Sequence, residues 1–177
     1  MKKILITRKL INSSEELAKQ LFNVKLNKED KILTKEELIM ASEGCDGILS
    51  SLTEKFDSNL ISKLPKTIKI ISNFAVGFGN IDIESAKKKN IVVTNTPDVL
   101  TDATAEITLL ILLGAARRAK EGAQWANKKN WKWSADFLMG RQLSGARLGI
   151  LGMGRIGRAV ADRARAFGMK IHYFNRS

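Results

Sequence analysis

Short runs of β-branched and other apolar residues alternate with helix-forming stretches through the first half of the chain. The runs fall at residues 4–6, 24–26, 47–50, 68–74 and 91–94. Each is followed by a stretch with helical patterning, which is the connection that two neighbouring parallel strands need. This alternation predicts an α/β fold, a doubly wound parallel sheet with right-handed crossovers that is complete by about Pro97.

Polar residues that can cap helices stand at the starts of several of the predicted helices. Residues 13–16 and residues 34–37 both have the spacing of a capping box, with a hydroxyl three positions before a glutamate. Asp57 and Asp82 precede two further helical stretches. We therefore expect side-chain caps at four helix starts in the first half of the chain.

A second, shorter βα pattern follows a long apolar stretch. Residues 101–119 are apolar on most faces, which predicts a buried helix that connects two domains. After a tryptophan-rich irregular segment, a strand at 147–151, a helix at 155–167 and a strand at 170–174 form one β-α-β unit. Two strands and one helix are too little to enclose a core, so we expect further βα units to cover the strand edges.

A glycine cluster separates the strand and the helix of this β-α-β unit. It has the form G-x-G-x-x-G, in which the glycines allow a tight turn, a close approach of backbone to a pyrophosphate and close packing of helix on strand. The helix N-terminus adds N–H groups and a positive dipole. The motif alone is weak, because a glycine-rich turn need not bind anything, but its position between strand and helix favours a dinucleotide. The residues concerned are Gly152, Met153, Gly154, Arg155, Ile156 and Gly157.

The residues after the last predicted strand indicate which dinucleotide is bound. Asn175 occupies the position where an acidic residue would hydrogen-bond the ribose hydroxyls of NAD. A neutral amide does not repel a 2′-phosphate, Arg176 can pair with it through a planar fork, and the Ser177 hydroxyl can donate to it. These three residues predict a preference for NADP(H) over NAD(H). The alternative is that Arg176 is one more exposed basic residue in a basic protein.

The composition is that of a globular protein with a basic surface. The net charge is +12, but the lysines are dispersed and no aromatic residues are interleaved with them, so a nucleic-acid site is not expected. The single cysteine, Cys45, is expected to be a buried structural thiol in a reducing compartment. No apolar run is long enough to span a bilayer, so we expect a cytoplasmic protein with no membrane partner.

Two blocks of sequence, residues 72–118 and residues 145–177, resemble the D-isomer-specific 2-hydroxyacid dehydrogenases, most closely the glyoxylate and hydroxypyruvate reductase branch. The resemblance covers essentially the whole chain. It implies a flavodoxin-like substrate domain over residues 1–98. It also implies that residues 99–177 hold an interdomain helix and the first β-α-β of an incomplete Rossmann domain that binds the dinucleotide.

The resemblance also implies roles for single residues. Val76 and Gly77 match a loop whose N–H groups bind the substrate carboxylate, although by itself the loop could be a plain turn. Leu52 matches a residue that lines the substrate pocket. Thr104 matches a threonine that contacts the cofactor, and a first-turn helix residue is the equally good alternative.

The tryptophans of the irregular segment match a feature of the subunit interface. Trp133 matches a tryptophan that reaches from one subunit toward the substrate pocket of the other. A milder interpretation, which we prefer, has Trp131 and Trp133 packing in a homodimer interface.

No catalytic residue and no metal ligand is assigned. The arginine, glutamate and histidine that the family uses, and its C-terminal helix, match positions beyond residue 177, and His172 is expected to be a partly buried structural residue of the last strand. The resemblance implies that the intact protein reduces glyoxylate or hydroxypyruvate with a nicotinamide cofactor. The residues after the last strand predict NADPH for that role, and without the three catalytic residues this chain alone is expected to be inactive. The alternatives are a dinucleotide-sensing binding protein of the corepressor type and an inert truncated gene product.

Overall fold

The computed structural model describes residues 1–128 and 133–176. The chain divides into two compact units, Met1–Val99 and Leu100–Ser177. Trp131 and Ser177, which carry predictions from the sequence, lie outside the described residues.

The first unit is a five-stranded parallel sheet in the order β2-β1-β3-β4-β5. Strands and helices alternate without interruption, and this is the flavodoxin-like doubly wound order, so the predicted α/β fold class is confirmed. The elements are β1 (Lys3–Ile6), α1 (Asn12–Leu21), β2 (Asn23–Leu26), α2 (Lys35–Ser42), β3 (Gly47–Ser50), α3 (Ser58–Lys63), β4 (Ile70–Asn73), α4 (Ile83–Lys88) and β5 (Val92–Thr94).

The register of the central strands places the loops after β3 and β4 side by side. Ser50 pairs with Asn73, and these are the last residues of the two strands. In parallel sheets the carboxyl ends of the strands share one edge, and that edge is where doubly wound proteins bind ligands.

The core of the first unit is one cluster of buried apolar side chains. Phe56, Ile48 and Ile71 are at most 1% exposed and lie at its centre. Cys45 belongs to the same cluster and is fully buried, and its burial raises the pKa of the thiol. A buried thiol with a raised pKa is a poor nucleophile, which agrees with the structural role predicted for it.

Three of the four predicted helix caps are present. Thr34 and Glu37 form a complete capping box at α2, while Asp57 caps α3 and Asp82 caps α4. The prediction for residues 13–16 is wrong, because α1 begins earlier, after Ile11, without a side-chain cap. The Glu15 carboxylate instead accepts from the Leu10 N–H at 3.1 Å, ahead of the helix.

The second unit contains α5 (Thr101–Ala116), α6 (Ala119–Ala126), β6 (Arg147–Leu151), α7 (Arg155–Ala166) and β7 (Lys170–Phe174). Strands β6 and β7 pair in parallel, from Arg147 opposite Lys170 to Leu151 opposite Phe174. Buried residues of α5 and α7, among them Leu109 and Val160, form a small core. This unit therefore has the predicted β-α-β pattern.

Three details of the second unit differ from prediction. The helix expected over residues 101–119 ends at Ala116, and Arg118 has φ of +53° before α6 begins. The predicted burial of this helix on most of its faces is also wrong, because Leu110 and Ile111 are 63% and 64% exposed in this chain. His172 is exposed on β7, not partly buried.

In the described part of the chain, no helix is long and apolar enough to cross a bilayer.

Candidate functional site

The loop between β4 and α4 has its carbonyl oxygens engaged by protein donors. Asn73 Nδ2 donates to Gly77 O at 2.9 Å. Asn95 Nδ2 donates to Val76 O at 2.8 Å. These bonds come from two different strand ends and hold the loop in one conformation.

The N–H groups of the same loop remain available. In the described part of the chain, no protein acceptor receives the N–H of Val76, Gly77, Phe78 or Gly79. The last three of these residues are exposed, so solvent or a ligand can reach them. Exposed N–H groups without a protein acceptor can donate to a bound carboxylate. The residues Val76 and Gly77 thus lie in a loop whose N–H groups have no acceptor among the described residues, and their binding of a carboxylate stays a prediction.

The loop after β3 brings an apolar side chain to the same edge of the sheet. Leu52 is 65% exposed on this loop. Glu54 is 4% exposed and accepts from the Ser51 N–H at 3.1 Å and from Thr53 Oγ1 at 2.9 Å. Asn80 Nδ2 donates to Ser51 O at 3.1 Å, so the loops that carry Leu52 and Val76–Gly77 are in direct contact.

The glycine cluster of the second unit connects β6 to α7. Gly152 has φ of +96°, a conformation that glycine adopts without strain, and its N–H donates to Phe174 O at 2.9 Å. Gly154 is the N-cap of α7, and no side chain caps the helix there. Gly154 has no side chain to occupy this helix N-terminus, and the helix dipole adds positive potential at the same place.

The glycines of this turn differ in the space around them. A Cβ atom at Gly157 would lie 2.2 Å from Gly152 O, so only glycine permits the close approach of helix to turn. A Cβ atom at Gly154 would meet nothing within 4 Å, which leaves open space in front of the backbone. Close packing behind and open space in front are what a dinucleotide-binding turn requires.

The remaining residues of the predicted cofactor site lie around this turn. The Met153 N–H donates to Asn175 Oδ1 at 3.3 Å, so the structure brings the residue after β7 next to the glycine cluster. Arg155 and Arg176 are exposed, and Ile156 packs against the small core of the second unit. Ser177 lies outside the described residues.

Thr104 and Trp133 are the two remaining residues to which the resemblance assigns a role. Thr104 is half-buried in the first turn of α5, where its N–H donates to Leu100 O at 2.9 Å and its carbonyl accepts from Thr108 Oγ1 at 2.6 Å. These contacts are those of a first-turn helix residue, and its cofactor role stays a prediction. Trp133 is 77% exposed, and its role in an interface also stays a prediction.

Three asparagines that hold the substrate-side loops were not predicted from the sequence. Asn73, Asn80 and Asn95 each donate through the side-chain amide to a backbone carbonyl of these loops. Two of them flank the glycine-rich stretch of the sequence at its two ends, and this spacing is the one signal that could have identified them.

Comparison with known proteins gives consistent matches over the whole chain. A family model described as D-isomer specific 2-hydroxyacid dehydrogenase, catalytic domain, matches residues 4–170. The glyoxylate reductase of Thermococcus kodakarensis is 40% identical over 180 residues, which cover 99% of this chain and 54% of that protein. The glycerate dehydrogenase of Hyphomicrobium methylovorum is 40% identical over 175 residues, 98% of this chain and 54% of that protein.

A solved structure also matches nearly the whole chain. The TT0316 protein from Thermus thermophilus is 40% identical and has a TM-score of 0.89, with 99% of this chain and 56% of that chain covered. The chain therefore spans about half the length of the curated relatives and of the solved structure that it matches.

Proposed function

Because the chain belongs to the D-isomer specific 2-hydroxyacid dehydrogenase family, we propose that the protein of which it forms part reduces a small 2-ketoacid, glyoxylate or hydroxypyruvate, with NADPH. The curated relatives named above are a glyoxylate reductase and a glycerate dehydrogenase, and hydroxypyruvate is the ketoacid that corresponds to glycerate.

The observation that carries this proposal is the loop with free N–H groups beside an exposed leucine. Val76 and Gly77 offer donors to a carboxylate, and Leu52 offers apolar surface to the short carbon chain. A carboxylate gains charge-assisted hydrogen bonds from such donors. The two loops would orient the ketoacid and hold its carboxylate at the carboxyl edge of the sheet.

The second unit would hold the nicotinamide cofactor through its pyrophosphate. Gly152 makes the tight turn, Gly154 and the first turn of α7 supply the backbone cradle, and Gly157 keeps that cradle compact. When bound, the reduced cofactor supplies the hydride that the carbonyl carbon accepts. The residues of this chain orient the dinucleotide, and we propose that the proton donor comes from the part of the relatives' length that this chain does not span.

The preference for NADP(H) rests on the residues after β7. Asn175 places a neutral amide beside the glycine turn, and Arg176 follows it as an exposed cation. Titration of the full-length protein with NADPH and NADH tests this. We expect Arg176→Ala to weaken NADPH binding about 10-fold or more and to leave NADH binding unchanged, since a charge-assisted hydrogen bond contributes about 1.5–3 kcal/mol.

Arg147→Ala is the matched control, because Arg147 is also exposed but starts β6, at the opposite end of that strand from the glycine turn. Equal affinities for the two cofactors, unaltered by Arg176→Ala, would exclude the preference. Binding without turnover of any 2-ketoacid by the full-length protein would favour a dinucleotide-sensing role over an enzyme.

We also propose that the 177-residue chain alone has no reductase activity and that the intact protein is a homodimer. The chain contains one histidine, and it is exposed on β7. NADPH oxidation with glyoxylate by the isolated chain would contradict the first statement. Sedimentation of the intact protein and of Trp133→Ala would test the second, with a shift toward monomer expected for the variant because Trp133 is 77% exposed.

A further inference from the structure

Asn73 is a buried amide at the end of β4 with partners on both sides. It is 1% exposed, and its Nδ2 donates to Gly77 O at 2.9 Å and to Asn80 Oδ1 at 3.1 Å. Its Oδ1 accepts from Ser50 Oγ, at the end of β3, at 3.3 Å. A buried amide is costly unless its donors and acceptors are used, and here they are.

Asn80 continues this arrangement into the neighbouring loop. Its Nδ2 donates to Ser51 O at 3.1 Å and to Glu54 O at 3.0 Å. The two carbonyls belong to the loop that carries Leu52. One amide therefore ties two carbonyls, one on each side of Leu52, to the end of the glycine-rich loop.

The bond from Asn73 to Gly77 favours one orientation of the backbone in the glycine-rich loop. At Gly77 the carbonyl oxygen is used by Asn73, while the N–H of the same residue meets no protein acceptor in the described residues. The amide of Asn73 uses a carbonyl of this loop, as that of Asn95 does at Val76, and the N–H groups are left available. A loop with the opposite orientation would present oxygens to the ligand, and oxygens would repel a carboxylate.

We propose that Asn73 and Asn80 are positioning residues for the carboxylate of the 2-ketoacid. Asn73 holds the Gly77 carbonyl, so that the N–H groups of this loop stay available. Asn80 accepts from Asn73 and holds the loop that carries Leu52, so that the two loops act as one preformed site. This inference rests on the proposed function, because it assigns the support of the same substrate site.

The test compares Asn80→Ala with a control asparagine that holds carbonyls elsewhere. Asn27 Nδ2 donates to Thr7 O at 2.9 Å and to Lys31 O at 2.7 Å, which is the same kind of clamp on other segments of the first unit. Glyoxylate is titrated into the 177-residue chain while the backbone amide resonances of Val76 and Gly77 are followed by NMR. We expect Asn80→Ala to weaken the response about 10-fold or more, and Asn27→Ala to change it by less than about 2-fold.

A second measurement separates positioning from general loss of structure. In the full-length enzyme, Asn80→Ala is expected to raise KM for glyoxylate about 10-fold with KM for NADPH unchanged. A purely structural role would lower the active fraction, and thus kcat, without this selective change in KM. If Asn80→Ala unfolds, Asn80→Ser keeps one donor, and we then expect that variant to show a raised KM for glyoxylate with KM for NADPH unchanged.

The possible results have distinct meanings. Amides of the wild-type chain that do not respond to glyoxylate would overturn the proposed carboxylate site itself. A wild-type response that Asn80→Ala and Asn80→Ser both retain in full would leave the proposed function standing and overturn the positioning role. A response lost equally in Asn27→Ala would also overturn it.

Discussion

Gly154 and Gly157 differ in what a methyl group would meet, and this difference separates binding from stability. Gly154 has φ of −74° and open space where a Cβ would lie, while a Cβ at Gly157 would lie 2.2 Å from Gly152 O. We expect Gly157→Ala to lower the free energy of unfolding by about 1–3 kcal/mol, the usual cost of overpacking. We expect Gly154→Ala to fold normally and to lose dinucleotide affinity, because its methyl group occupies the space in front of the backbone.

Urea unfolding and cofactor titration of the two variants check this prediction. Gly157→Ala should show the larger loss of stability, and Gly154→Ala the larger loss of affinity for the cofactor. A Gly154→Ala variant that binds NADPH with wild-type affinity would show that the open space is not where the pyrophosphate lies.

Asp30 makes the stability of the first unit depend on pH. Hydrogen bonds from the Arg8 side chain, and then from the Lys9 N–H, lower the pKa of Asp30 to about 2. A carboxylate with a depressed pKa stabilises the folded state above its unfolded pKa of about 3.9, and this stabilisation is lost as the pH falls through about 2. Asp30 has φ of +52°, which asparagine also tolerates, so Asp30→Asn removes the charge without new backbone strain.

We expect Asp30→Asn to be less stable than the wild type at pH 7, with the difference shrinking between about pH 4 and pH 2. Urea unfolding across this range measures it. A difference that stays constant down to about pH 2 would mean that the charge of Asp30 contributes nothing.

Single residues were predictable from the sequence where one local constraint decides their identity. The roles of the three glycines follow from spacing, and the structure shows a positive φ at Gly152 and close packing at Gly157. Asn73 and Asn80 were missed because an asparagine near glycines is ordinarily a turn residue. Some of their partners, among them Ser50 and Ser51, come from the end of the neighbouring strand and the loop after it, and that proximity exists only once the sheet has formed.

At the scale of elements, the helices of the first unit differ in whether a side chain caps their N-terminus. Asp82 accepts from the Ser85 N–H at 3.0 Å and from Ser85 Oγ at 2.9 Å, and these bonds lower the pKa of its carboxyl. We expect Asp82→Ala to cost about 1 kcal/mol of stability, the typical value of an N-cap. Ser13→Ala is the control, because no side chain caps α1.

Thermal unfolding of the two variants tests the comparison, and Asp82→Ser should recover most of the loss, since serine is also a good N-cap. Equal effects of Asp82→Ala and Ser13→Ala would contradict the assignment of caps. The sequence suggested a cap at both places, and only the structure separates them.

The break between α5 and α6 shows why element boundaries are hard to predict. The carbonyl of Ala116 accepts from the Arg141 N–H at 2.7 Å, so a distant segment uses an acceptor that a continuing helix would need. A Cβ at Gly140 would lie 2.6 Å from the same oxygen, so the approach depends on a glycine that is remote in the sequence. Helical periodicity through residue 119 contains no trace of this contact.

At the scale of the whole molecule, the two units differ in how fully their strands are supported. In the first unit β3 lies between β1 and β4, and three of its four residues are buried. In the second unit β6 and β7 pair only with each other among the described residues, and Leu151 and Phe174 are 89% and 66% exposed. The alternation of strands and helices in the sequence predicted both parallel sheets. The degree of burial, however, depends on how many layers cover each strand.

This difference predicts unequal protection from hydrogen exchange in the 177-residue chain. Amides of β3 and β4 should exchange only with global unfolding of their unit, because they lie in a buried parallel sheet. Amides of β6 and β7 should exchange faster, at local openings, because a two-stranded sheet is marginally stable in water.

Excess NADPH should slow exchange at β6 and at the first turn of α7 while leaving β3 unchanged, since a ligand stabilises the unit it binds. Exchange measured by NMR or mass spectrometry with and without NADPH checks this, and equal protection of β3 and β6 without cofactor would show that the second unit gains stability from contacts other than its own strand pair.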